Sequence, residues 1–179
     1  MRIFIAVLLV ISLAGTADEV EEIREYYNEV KEQITHEFGL YRTRVTVNTQ
    51  SMVYPALGHY QEEITFYWGC EAGYEWLVLA VWSGEFSMHR EYGEVLFSTP
   101  DEPWKGETGE LLFEFVSFDN SDDIVTELRW WFGEGELLQS SEQTTYPDTV
   151  YTSIPEIREP NRFSRNPEEL MELFLSIHS

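Results

Sequence analysis

The stretch "TELRWWFGEGELL" (126–138) sets two tryptophans beside an arginine. Successive side chains of a β-strand point to opposite faces, so Leu128, Trp130 and Phe132 point one way and Glu127, Arg129 and Trp131 the other. Trp130 then belongs to a core, while Trp131 shares a face with Arg129. Two further stretches offer a similar mixture: "LYRTRVTVNTQ" places Arg42 and Arg44 on one face, and "YQEEITFYW" places Glu63 and Tyr67 together. Arginine, glutamate and aromatic rings on one sheet face can form a concave ligand site. The candidate binding residues are therefore Arg42, Arg44, Glu63, Tyr67, Arg129 and Trp131. The same residues also suit cross-strand ion pairs and an arginine stacked on an indole, which stabilise a wet face without any ligand.

Other chemistries lack their parts. There is no G-x-S-x-G elbow, and Ser83-Gly84 and Ser117 do not supply its context. Cys70 is the only cysteine, and His36, His59, His89 and His178 are too scattered to suggest a cysteine–histidine pair or a zinc site. Cys70 follows Trp68-Gly69 at a strand end and reads as a buried, inert thiol. The run "DNSDD" (119–123) gathers oxygen ligands suited to calcium, but it lacks the glycine and distant glutamate of an EF-hand, and these are ordinary turn residues. Glu62, Glu63, Glu110, Glu114 and Glu127 fall on expected strands, so carboxylate pairs for glycoside hydrolysis remain an alternative; among 33 acids such pairing carries little information. Gly133-x-Gly135 sits in a hairpin and cannot cradle phosphate ahead of a helix. The sequence thus names no catalytic residue, no metal ligand and no cofactor.

The elements that position the candidates follow from periodicity. In "DEVEEIREYYNEVKEQITHEF", Val20, Ile23, Tyr27, Val30, Ile34 and Phe38 recur every three or four residues, which predicts an amphipathic helix stopping at Gly39, with acids in its first turns. The period then changes to two. Strands are expected around 40–50, 60–68, 74–82, 86–98, 109–118 and on both sides of 133–135, about seven in all, joined by short polar turns. "YEWLVLAVW" is apolar on both parities and should lie mid-sheet, covered on both faces. Gly93 is a weak point in its strand. Pro147 to Pro167 contains four prolines and reads as a crossing loop, after which Asn166-Pro167-Glu168-Glu169 starts a short C-terminal helix. The fold class is α+β: an N-terminal helix, a twisted antiparallel meander and a short C-terminal helix.

Met1-Arg2, the apolar run from Ile3 to Ala14 and the small residues Gly15, Thr16 and Ala17 read as a secretory signal peptide cleaved after Ala17. Residues 18–179 then form one domain, located outside the cell or in the periplasm. The run is too short for a permanent span, and no cysteine follows it to carry a lipid, so neither a membrane span nor a lipid anchor is expected. A formal charge of −22 argues against nucleic acid as a partner, because phosphates are neutralised by clustered lysine and arginine. It equally serves to keep an exported protein soluble. Aromatics make up 15% of the chain, six of them tryptophan, which suits either a ligand grip or a core built without disulfides.

The pieces "EIREYYNEVKEQI", "GELLFEFVSF" and "TELRWWFGEGELL", in that order behind the leader, resemble a loose group of secreted bacterial proteins of unknown function, many from gut and marine Bacteroidetes. The resemblance spans most of the mature chain. It implies the helix-then-meander architecture and export, and it brings no activity with it. The reading is an exported non-enzymatic binding or interaction protein, whose partner is a small molecule, a glycan or a basic protein. The alternative is an extracellular hydrolase of the carboxylate-pair type.

Overall fold

The computed structural model describes residues 2–47, 53–54, 58–86, 90–119, 124–147, 149–153 and 165–178, with the side chains of 2–15, 53–54, 58–60, 86 and 153 left aside. Helix α1 (Arg2–Thr35) leads into strands β1 (Tyr41–Val47), β2 (Val53–Tyr54), β3 (Gly58–Glu71), β4 (Tyr74–Phe86), β5 (Arg90–Phe97), β6 (Leu111–Asp119), β7 (Val125–Gly133), β8 (Glu136–Tyr146) and β9 (Thr149–Ser153). Helix α2 (Pro167–His178) closes the order. The strands form one antiparallel sheet, β1-β3-β4-β5-β6-β7-β8-β9, with β2 hydrogen-bonded to β3 at the side. The expected α+β meander is what forms. It has two more strands than the sequence suggested, because Val53–Tyr54 and Thr149–Ser153 pair within segments read as loops. Among the described residues, no helix is long and apolar enough to cross a membrane.

Two hairpins turn through two residues with positive φ, Ala72-Gly73 and Glu134-Gly135. That backbone sign matches the right-handed twist of the strands they join.

The two helices lie on opposite faces of the sheet. Val20, Ile23 and Val30 of α1 are buried with Val78, Leu79, Leu96, Phe113 and Trp131. Leu170 and Phe174 of α2 are buried with Ile64, Phe66, Trp82, Val95 and Trp130 on the other face. Each such apolar side chain contributes roughly 2 kcal/mol when fully buried. β4 supplies both clusters, as its two-sided apolar pattern predicted.

Strict alternation fails at one line across the sheet. Cα pairing shifts between Tyr67 and Trp68, between Leu96 and Phe97, and between Trp131 and Phe132, leaving Val78, Leu112 and Leu138 unopposed on the partner strands. The residues beside these bulges form a single row, Arg42–Tyr67–Leu79–Leu96–Phe113–Trp131–Gln139. Each extra residue bends its strand and turns an additional apolar side chain to the same side. Val78, Leu112 and Leu138 all pack in the cluster beneath α1. The aligned bulges crease the sheet where the helix lies.

Three local expectations are corrected. α1 is continuous from Arg2, so Asp18–Glu22 do not form its first turn, and it ends at Thr35 rather than running to Phe38. Its stop uses Glu37 at φ 51°, with the Phe38 N–H donating to the Gln33 carbonyl at 2.9 Å, the bond pattern of a helix ended by a left-handed residue. Phe38, beyond that stop, is exposed. Cys70 is exposed as well, since it sits near the β3–β4 turn, past the reach of the packed clusters. By contrast, α2 starts as predicted: the Asn166 side-chain oxygen accepts from the Glu168 N–H at 2.9 Å, and Pro167 is the first helical residue. Its last turn is pinned by His178, whose Nδ1 lies 2.6 Å from Glu75 and whose Nε2 lies 3.2 Å from the Thr43 hydroxyl. Of the "DNSDD" turn, residues 120–123 lie outside the described residues; Asp119 accepts from the Arg90 backbone N–H at 2.7 Å.

Candidate functional site

All six candidate residues project from the sheet face that α1 crosses. Arg42 opposes Tyr67, and Arg129 and Trp131 are neighbours of Phe115 and Phe113 on β6. They form two groups rather than one. Arg44 and Arg129 share a row, with Thr65, Val81, Glu94 and Phe115 between them. At about 4.8 Å per strand, five steps separate them by roughly 24 Å.

The β1–β3 group is the more exposed. Arg44 pairs with Glu63 at 3.4 Å in a solvated bridge worth little to stability. Arg42 and Tyr67 line a cavity of about 230 Å³ together with Gln33 and Ile34 of α1 and with Glu37 and Leu40 just after it.

The β7 group forms a pocket. Ile23, Arg24 and Tyr27 of α1 face Phe113, Arg129 and Trp131 of the sheet around a cavity of about 200 Å³. Tyr27 meets Phe113 edge-on, with ring centroids 5.2 Å apart, and Phe113 lies 5.4 Å from Trp131 at a 43° tilt. Trp131 is buried, with the Arg24 guanidinium 5.0 Å from its ring centroid. The Arg129 guanidinium stands 4.9 Å from the Phe115 ring and donates to Glu127 at 2.8 Å.

One wall of this pocket is held by Glu94, whose carboxylate is buried on the same face. It accepts from the Tyr27 hydroxyl at 2.5 Å and from Lys31 at 2.9 Å, and the Tyr92 hydroxyl also donates to it. Burial, then the bond to Glu94 and its negative charge, pushes the Tyr27 hydroxyl well above the usual tyrosine range, with the Arg129 charge opposing the shift. The same first two causes raise Tyr92. Both hydroxyls therefore stay protonated as donors, and the Tyr27 ring is fixed in its orientation.

A third cavity, of about 410 Å³, lies further along α1. Glu19, Glu22, Glu110 and Glu134 line it over Ile23 and Leu112, with no lysine or arginine among its lining residues. The Tyr26 hydroxyl at its wall is 3.3 Å from Thr99, and burial raises its pKa. The Glu19 carboxylate reaches over Gly133, where an added Cβ would stand 1.8 Å from its oxygen and would make that side chain swing aside.

The opposite face buries more carboxylates. Arg165 donates through Nε to Glu62 at 2.9 Å and through its terminal amine at 2.5 Å, a two-point grip on both oxygens. Glu91 shares this face and accepts from the Trp82 indole N–H at 3.3 Å. Burial pushes the Glu91 carboxyl up and the charge of Glu62 adds to this, while the indole and Arg165 oppose it. Of the other acids noted on strands, Glu114 is buried on this face as well, whereas Glu110 and Glu127 serve the α1 side. Among the described residues, no group of three or more His, Cys, Asp or Glu could hold a metal ion.

Sequence reasoning found Arg129 and Trp131 but missed their partners Arg24, Tyr27 and Phe113. Arg24 reads as a residue of the wet helix face and Tyr27 as part of the core stripe. The legible signal is that they are three apart in "REYY", a spacing that places both side chains along one edge of a helix. Compared with known proteins, the chain matches no family model, and neither a curated protein nor a solved structure is found to be similar to it.

Proposed function

We propose that this protein is exported, secreted or periplasmic, and acts as a non-enzymatic binding protein that takes a small molecule into the seam between α1 and the sheet. The observation that carries the reading is that this seam is not closed by packing. Clefts of about 410, 230 and 200 Å³, each open to solvent, flank the line along which Val20, Ile23 and Val30 of α1 pack on the sheet. Polar groups converge on these spaces from both the helix and the strands, as expected of ligand pockets.

The hydrolase alternative has its best carboxylate pair in Glu62 and Glu91, one of them with a raised pKa. Both oxygens of Glu62 are engaged by Arg165, and both acids are buried on the α2 face. That arrangement suits an internal ion pair better than a base awaiting substrate. The line Glu75–His178–Thr43 has the order of a charge-relay site, but the Trp68 indole N–H donates to the Thr43 oxygen at 3.1 Å. Trp68 is itself stacked under Tyr41, and none of the three cavities borders the group.

Paired native and denaturing mass spectrometry of the protein purified from its source tests the proposal. A native mass that exceeds the denatured mass by a defined small molecule is expected. A bare native mass, together with turnover of a polysaccharide abolished by Glu91→Gln, would reverse the choice.

A further inference from the structure

We infer that α1 is finished by proteolysis: the peptide bond between Ala17 and Asp18 is hydrolysed before the helix docks on the sheet, and Asp18 then caps the end that the cut creates. The inference rests on the export reading and goes beyond it, to when the bond is cut and what the cut leaves behind.

Two signals of different kinds meet at this bond. Upstream, the apolar run from Ile3 to Ala14 and the residues Gly15, Thr16 and Ala17 have the form a leader peptidase accepts, with small residues one and three positions before the cut. Downstream, Asp18-Glu19-Val20-Glu21 has the form of a helix start. Asp is a favoured N-cap, Glu three residues on completes a capping box, and Glu19, Glu21 and Glu22 suit the positive end of a helix dipole. In the uncut chain that signature is idle, because α1 runs unbroken through it and Asp18 is an exposed residue within the helix.

Hydrolysis puts it to use. Water adds its hydroxyl to the Ala17 carbonyl carbon and a proton to the Asp18 nitrogen, the C–N bond breaks, and residues 18–179 begin with an ammonium group. The Asp18 carboxylate can then accept from the N–H groups of Val20 and Glu21, which have lost their partners in the preceding turn, while Glu21 reaches back to the ammonium. Glu19 and Glu22, beside it in sequence, line the 410 Å³ cleft that has no lysine or arginine among its lining residues, so the added positive charge enters acidic surroundings.

Packing sets the order of events. Peptidases cut exposed, extended chain far more readily than packed helix. Val20, the third residue past the bond, is 2% exposed and is buried with Ile23 against Val78, Leu79 and Leu96. Drawing residues 15–20 out from helix to strand lengthens them from about 9 Å to about 20 Å, which pulls Val20 from its cluster. The bond is therefore open to a peptidase only before α1 docks.

The full chain, expressed in an exporting bacterial host, provides the test. The intact mass of the exported protein is expected to be that of residues 18–179. Full-length precursor refolded in detergent and given purified leader peptidase should be cut at least ten-fold more slowly than the same chain carrying Ile23→Ala, a change outside the recognised segment that exposes the bond whether it loosens α1 or unfolds the protein. In the exported protein Asp18→Ala should lower Tm by about 2–4 °C, and Asp18→Asn, which keeps a capping side chain, should not. Equal cutting rates overturn the order of events, and an unchanged Tm in Asp18→Ala overturns the cap. An exported protein with a different first residue overturns the assigned bond and leaves export standing. A full-length mass retained inside the cell removes both.

Discussion

Replacing Gly93 by alanine should destabilise the protein by about 2 kcal/mol, although it adds only one methyl group. Gly93 is opposed by Trp82 on β4, and a Cβ built on it would stand 2.0 Å from the indole ring. Ordinary contact begins near 3.4 Å, so the ring must move by about 1.4 Å. Trp82 is 1% exposed, among the most deeply buried large side chains, and has little space to move into. Overpacking of this kind costs roughly 1–3 kcal/mol. Displacing the indole also stretches its bond to Glu91, worth about 1 kcal/mol. Gly93 is outside the left-handed region, so alanine introduces no backbone strain and recovers roughly 0.4–1 kcal/mol by restricting the unfolded chain. The net loss should appear as a lower urea midpoint at unchanged m, or as a fall in Tm of roughly 4–8 °C for a chain of this size. The double variant Trp82→Phe/Gly93→Ala should be more stable than the sum of the single changes allows, because a phenyl ring is shorter than an indole. A neutral or stabilising Gly93→Ala, or strict additivity in the cycle, would refute the seating of Trp82 over Gly93.

Two further outcomes follow from the buried carboxylates. Burial raises the Glu91 pKa, so the folded state holds a proton that the unfolded chain has released, and this stability is complete below the unfolded value and is lost as pH rises through the folded one. Glu91→Gln keeps an acceptor for the Trp82 indole and removes that loss. Its stability relative to the parent should grow between pH 4.5 and 7.5 in urea titrations, and a gap independent of pH would contradict the account. Arg165→Ala leaves Glu62 buried at 2% exposure without its guanidinium, a change that typically costs about 3–5 kcal/mol. Adding Glu62→Gln should recover part of this; an Arg165→Ala protein within about 0.5 kcal/mol of the parent by the same titration would disprove the pairing.

Strands such as β1 were legible because they keep period-two alternation over several residues, with Thr43, Val45 and Val47 partly buried against Arg42, Arg44 and Thr46 outside, whereas the two-residue β2 and the edge strand β9 carry too little pattern to separate them from loops. The start of α2 was legible because Asn166 and Pro167 have specific chemistry at a helix N-terminus. Glu37 gives no such sign, since a left-handed glutamate is imposed by how the chain leaves α1 and not by its own preference. The bulges were hidden for a different reason: an unopposed Leu112 or Leu138 in a strand looks like any other apolar residue until its partner strand is known. The site was half legible. Arg129 and Trp131 stand on one strand, where alternation assigns their face, whereas Arg24 and Tyr27 join them only through the docking of α1, which no local pattern encodes.

The crease also constrains how this chain can lose residues. Val78, Leu112 and Leu138 are each a surplus position in one hairpin ladder, so removing any one leaves that pair of strands with a complete, regular set of partners. Locally such a deletion is harmless. Across the sheet it is not, because one hairpin would run straight between neighbours that still bend, and the row from Tyr67 to Gln139 would break beneath α1. The three positions therefore behave as a unit under deletion: shortened one at a time they disrupt the helix seat, and shortened together they give a flatter sheet on which the pocket between Arg24 and Arg129 has no place to form.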